Sequence, residues 1–160
     1  MKAIRVTKYN PEFRNDKGYY LKEEWTSFSD VGQYYDGVLF DVEEYYKTEN
    51  KYIEAILLFC KSHNVEMLKF IKLEKYEIND NANQSMQALF NDINSSTIIF
   101  LNDLPNLIRL ALRECIWCEL ASIQENMEIS FGYDYYMYFL SNYEMDDIIQ
   151  GIKTIGLHVD

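Results

Sequence analysis

The sequence predicts a single α+β domain over residues 1–160, with a mostly antiparallel sheet of about five strands and helices packed on one face. Three observations lead there. With 160 residues, 48% of them apolar and 16% aromatic, the chain can bury roughly 70% of its unfolded surface without a disulfide or metal staple. Residues 112–120 and 127–139 alternate apolar and polar side chains with the period of a strand. Residues 42–63, 84–93 and 146–155 instead repeat apolar side chains at i, i+3, i+4 and i+7, the period of a helix.

Taken in order, Ile4 and Val6 oppose Arg5 and Thr7, giving a half-buried strand over residues 2–9 that Asn10-Pro11 breaks. Residues 10–24 are polar and read as loop, with a turn at Asp16-Lys17-Gly18. Trp25 and Phe28 pin the next segment to the core. Ser27 or Ser29 caps a short helix there, and Gly32 ends it. Asp36-Gly37 is a turn. Asp41, with Glu44 three residues on, has capping-box spacing at the head of a helix that runs to about His63. Its Ala55–Cys60 stretch is apolar almost all round, and Thr48-Glu49-Asn50 is a point where it would split in two. Met67–Tyr76 reads as a strand with Leu68 and Phe70 inward. Ile71 beside Phe70 breaks the alternation and predicts a bulge or burial on both sides. Met86, Leu89, Phe90 and Ile93 set a helix. Thr97–Leu101 is an apolar run that fits either type. Asp103-Leu104-Pro105 opens another helix that extends as far as Arg113.

The centre of the chain is then a long hairpin. Ile116, Cys118 and Leu120 share one face of its first strand, and Cys115, Trp117 and Glu119 share the other. Gln124-Glu125-Asn126 is the turn. The return strand, residues 127–139, places Phe131, Tyr133, Tyr135, Met137 and Phe139 on an apolar face, with Asp134, Tyr136 and Tyr138 opposite. Gly132 marks a bulge or a close backbone approach. A last helix starts with Asp146 and Asp147, where its dipole favours acids, and stops at Gly156. Leu157–Val159 is a short closing strand.

Net charge is −11, which disfavours nucleic acid and anionic membranes and favours a basic partner. The acids are unevenly spread: residues 114–160 hold nine against one base, Lys153. A solvated face explains such a run, and so does an acidic docking face. No apolar run reaches the roughly 18 residues of a membrane span. Residues 1–9 lack the apolar core of a secretion signal, and three cysteines are an odd number, so a reducing cytoplasm is the expected compartment.

Little in the chain points to catalysis. Cys115-x-x-Cys118 has redox spacing, but inside a strand its thiols point to opposite faces, which suits neither a disulfide nor a shared metal. Cys60, His63 and His158 are the remaining soft ligands and form no zinc motif, so no metal or cofactor is expected. His63, at a helix end, fits a structural role. No phosphate-binding or nucleophile-elbow motif is present. The best candidate surface is tyrosine interleaved with acid. Glu119, Asp134, Tyr136, Tyr138, Asp146 and Asp147 are its expected partner-binding residues, because tyrosine gives stiff contact area and carboxylates steer a basic protein. The plain alternative is a solvated sheet face with structural tyrosines.

Three segments, Glu24–Gly32 (EWTSFSDVG), Leu112–Glu119 (LRECIWCE) and Phe131–Tyr138 (FGYDYYMY), resemble immunity proteins of bacterial polymorphic and contact-dependent toxin systems. The resemblance extends over nearly the whole chain. It implies an acidic, cytoplasmic α+β protein that neutralises a cognate toxin domain, often a basic nuclease, by covering its active site. It implies no catalytic residue. Two other readings remain open: a regulatory or ligand-binding module with a pocket at Trp25 and Phe28, and an enzyme using His63 with Cys60 or a carboxylate.

Overall fold

A computed structural model describes residues 1–160. Its core is a seven-stranded sheet of order β5-β4-β6-β7-β8-β1-β9 in which every neighbouring pair is antiparallel. The strands are β1 (Lys2–Thr7), β4 (Met67–Lys75), β5 (Ile98–Phe100), β6 (Ile116–Ser122), β7 (Met127–Phe131), β8 (Tyr136–Ser141) and β9 (His158–Val159). A separate two-stranded ribbon, β2 (Tyr34–Tyr35) and β3 (Val38–Leu39), turns at Asp36-Gly37. Four α-helices complete the fold: α1 (Val42–Ser62), α2 (Gln84–Asp92), α3 (Leu104–Leu112) and α4 (Asp146–Ile155). The α+β class stands, but the sheet has seven strands rather than five.

Two of the extra strands have identifiable origins. The undecided run at 97–101 is β5, an edge strand pairing Ile99 with Leu68. The return strand of the central hairpin is not continuous. It breaks after Phe131 into β7 and β8, which pair with each other through Phe131 and Met137. The expected bulge in β4 is present as a register shift between Phe70 and Lys72.

Period-two alternation sorts the sheet into two faces. Ile116, Cys118 and Leu120, then Met127, Ile129 and Phe131, then Met137 and Phe139 are all buried. Against them lies α1, whose Phe59 stacks on Phe139 with ring centres 4.3 Å apart. Helix α4 packs in turn on α1, so closely at Gly151 that a Cβ there would fall 2.6 Å from the Leu58 side chain. The opposite face carries Glu119, Glu128, Ser130, Tyr136, Tyr138 and Leu140, half-buried or exposed.

Helix α1 is one unbroken element of 21 residues, capped by the Asp41 carboxylate, which accepts from the Glu44 amide. It does not split at Thr48-Glu49-Asn50. Glu49 faces inward, 2% exposed. Its carboxylate accepts two hydrogen bonds from Arg113, at 2.9 Å from Nε and 2.7 Å from Nη2. A buried carboxylate held by a bidentate guanidinium meets the condition for keeping a charge out of water. Burial opposes the Arg113 charge, but the Glu49 hydrogen bonds outweigh it and hold that pKa above its ordinary value. The 3-10 turn Phe28–Asp30 has Ser27 as its cap, in a capping box with Asp30. Trp25 is a core residue, stacked on Phe40 at 4.5 Å.

Candidate functional site

The β7–β8 connection departs most sharply from a simple alternating strand. Asp134 and Tyr135 both have positive φ, 55° and 67°, and the Tyr136 amide closes the turn on the Tyr133 carbonyl. Positive φ at both central residues is the mark of a type I′ hairpin turn, where Asn-Gly is the favoured pair. An aspartate and, above all, a bulky tyrosine there are strained.

The Tyr135 side chain holds that strain in place. Its hydroxyl donates to the Leu112 carbonyl at 2.8 Å, and its ring packs edge-on against Trp25 at 5.0 Å and Tyr52 at 5.8 Å. Its own carbonyl accepts from the Tyr52 hydroxyl at 2.5 Å. The turn therefore inverts the expected facing of one residue. Tyr135 goes into the core as expected, but Tyr133 does not: it is 91% exposed. Gly132 permits the close approach, since a Cβ there would sit 3.0 Å from the Tyr138 ring and 3.1 Å from the Tyr136 carbonyl oxygen.

Beside this tip is a pocket of about 420 Å³, within the range that takes a ligand-sized group. Its floor is Leu112, Ile116, Phe131 and Tyr135, and its walls include Trp117, Tyr76 and Tyr133. The Trp117 indole N–H donates to the Phe131 carbonyl at 2.8 Å, fixing that wall. Two charged side chains line the pocket, Glu114 and Asp134, and both are exposed acids. Glu114 too has a positive φ, 62°. Behind the tip the Tyr9 hydroxyl is buried with no hydrogen-bond partner; burial, and then the Asp134 charge, push its pKa up.

The expected partner-binding residues fall in three places. Glu119 and Tyr138 come together on the open sheet face, with Glu128 and Ser130, around a shallow hollow of about 330 Å³. Asp134 is at the hairpin tip and Tyr136 borders the same pocket. Tyr136 is also tied to bases: its hydroxyl accepts from Arg14 at 2.8 Å, and the Arg5 guanidinium lies 4.8 Å from its ring centre. Asp146 and Asp147 open α4 in the helical layer and are exposed there, apart from the other four. Tyr76, Glu114, Trp117 and Tyr133 were not expected at the site. The signal for Tyr133 was Gly132 followed by Asp134, a turn-forming pair embedded in an apolar alternation.

The reactive side chains are occupied in packing. Cys60, Cys115 and Cys118 are free and buried, and burial pushes the Cys60 thiol up to about 12. Cys115 precedes β6 instead of lying within it, so the pair does not share one strand as expected. The His63 ring donates from Nδ1 to the Phe59 carbonyl at 2.9 Å, and its Nε2 shares a 2.6 Å hydrogen bond with Ser141. No helix is long and apolar enough to cross a membrane. Comparison with protein families, curated proteins and solved structures finds no match for this chain.

Proposed function

We propose that this chain is a cytoplasmic immunity protein that binds and neutralises a cognate bacterial toxin domain, a basic nuclease in character. It acts by contact, with no chemistry of its own. One arrangement supports the reading best: aromatic side chains and carboxylates at the β7–β8 tip line an apolar pocket whose charged groups are both acids, and a second hollow with tyrosine and acids lies on the open sheet face. Rigid aromatic area ringed by charge is the composition of a protein-binding hot spot. Asp134 and Tyr136 would belong to the tip contact and Glu119 and Tyr138 to the sheet-face hollow; Asp146 and Asp147 would be a separate contact on α4. The thiols and His63 are each committed to the core, which leaves them poorly placed for nucleophilic work.

The test uses the polypeptide encoded by the adjacent reading frame. Its C-terminal domain is mixed with this protein, and affinity is measured at low and high salt. Tight one-to-one binding that weakens with salt and abolishes toxicity is expected. A neighbour that neither binds nor is toxic removes the reading.

A second reading has its own observation. A hollow of about 700 Å³ is lined by Ser27, Phe28, Ser29, Asn79, Asn81 and Arg113 among others, and the Asn79 Oδ1 is buried there without a partner. A small polar ligand with an N–H or O–H donor would satisfy that oxygen only once the Asn79 side chain turns toward the hollow, because the oxygen is closed to solvent as it stands. Trp25, buried on Phe40, is not among the lining residues. Soaking with amide and alcohol fragments, followed by crystallography, would show density at Asn79 if this reading holds.

A further inference from the structure

We infer that the pocket beside the β7–β8 tip is the anchor of the interface, and that it receives one aromatic or branched aliphatic side chain flanked in its own chain by lysine or arginine. The inference rests on the protein-binding reading and names what that partner must present.

Three features carry it. The floor is apolar, with Leu112, Ile116, Phe131 and Tyr135 7% exposed or less, and the more open aromatic walls Trp117, Tyr76 and Tyr133 supply most of the contact surface. An apolar side chain entering there sheds water against mainly apolar and aromatic surface. The walls are preorganised: Trp117 is held by its hydrogen bond to Phe131, and Tyr135 is held in its strained turn by Leu112 and Tyr52. Those two rings have little side-chain entropy left to lose on docking, whereas the exposed Tyr133 is ordered by the contact itself. The rim selects by charge, since Glu114 and Asp134 are its charged groups and both are acids. An acidic rim rejects an anionic or acid-flanked group and favours a base beside the buried side chain. Lys72, 6.0 Å from the Trp117 ring centre, lessens that preference on one side without reversing it.

The probes are three unlabelled peptides: N-acetyl-Lys-Trp-Lys-amide, N-acetyl-Glu-Trp-Glu-amide and N-acetyl-Lys-Ser-Lys-amide. Each is titrated into the nitrogen-15-labelled protein while its two indole N–H signals are followed. Trp117 lines the pocket, and buried Trp25 is the internal control. The Lys-Trp-Lys peptide is expected to shift the Trp117 signal saturably and leave Trp25 in place. It should bind roughly five-fold tighter than Glu-Trp-Glu at low salt, with the gap closing as salt rises. The Lys-Ser-Lys peptide should not saturate. Ala111→Met, which places a longer side chain in the pocket, should weaken Lys-Trp-Lys about ten-fold. Tyr133→Ser changes an exposed wall residue, and it should weaken binding several-fold even if Ala111→Met disturbs folding.

Absence of a saturable Trp117 shift overturns the inference. So does Glu-Trp-Glu binding as tightly as Lys-Trp-Lys, or both variants binding normally. If the neighbouring toxin binds tightly and Ala111→Met and Tyr133→Ser bind it equally well, the anchor is wrong and the immunity reading survives. If the peptides bind as expected and no toxin partner exists, the pocket stands and that reading falls.

Discussion

The two faces of the sheet use the same amino acid to opposite ends. On the helix side Tyr45, Tyr52 and Tyr135 are buried, and each hydroxyl has a partner. On the open side and at the tip, Tyr133 and Tyr138 present their rings to solvent at 91% and 36% exposure. The charges divide in the same way. Glu49 is sealed against Arg113 inside, while Glu119, Glu128 and Asp134 stand outside without a bidentate partner. Polar groups under the helices fix the structure, and the same groups on the open face are available for recognition. That comparison can be broken or sharpened by substitution.

The largest effect is expected inside. Glu49→Ala leaves Arg113 buried and uncompensated, and should cost about 3–5 kcal/mol in urea unfolding, whereas Glu49→Leu combined with Arg113→Met should cost much less than that single change. A loss below about 1 kcal/mol for Glu49→Ala would show that water reaches the pair. Next, Gly132→Ala forces the Tyr138 ring or the Tyr136 carbonyl to move, and about 1–2 kcal/mol of destabilisation is expected by thermal unfolding. Tyr9→Phe should go the other way. It deletes a buried hydroxyl that has no partner, so stability should stay level or rise by up to about 1 kcal/mol. Smallest of all, Asp134→Asn, which keeps a residue suited to positive φ, or Glu119→Gln on the outer face should shift stability by less than about 0.5 kcal/mol while weakening the partner. A large loss of stability from either substitution would move that residue to the structural side of the comparison.

How much of this could be read from the sequence depends on whether the cue is local. The capped start of α1, the Asp36-Gly37 turn, the bulge after Phe70 and the inward set Ile116, Cys118 and Leu120 all follow from spacing within a few residues. Where a cue was missed, a non-local contact had overruled a local pattern. The alternation from Phe131 to Phe139 conceals a two-residue turn, because Tyr135 has poor turn chemistry and is forced into it by Leu112, Trp25 and Tyr52. Thr48-Glu49-Asn50 looked like a helix break because hydropathy cannot see that Arg113, 64 positions away, neutralises Glu49. The pocket was invisible for the same reason, as its lining comes from segments around residues 76, 111–117 and 131–136.

The position of β1 between β8 and β9 bears on how the chain reaches this state. Lys2 pairs with Ser141 and Thr7 with Tyr136, so β1 has no sheet neighbour until β8 and β9, far later in the sequence, have followed it. High separation between paired strands slows folding, and an unpaired strand edge is a template for association with other chains. Ile4 and Val6 stay uncovered through that interval, while Lys2, Arg5 and Lys8 are interspersed among them as like charges that keep nascent copies apart.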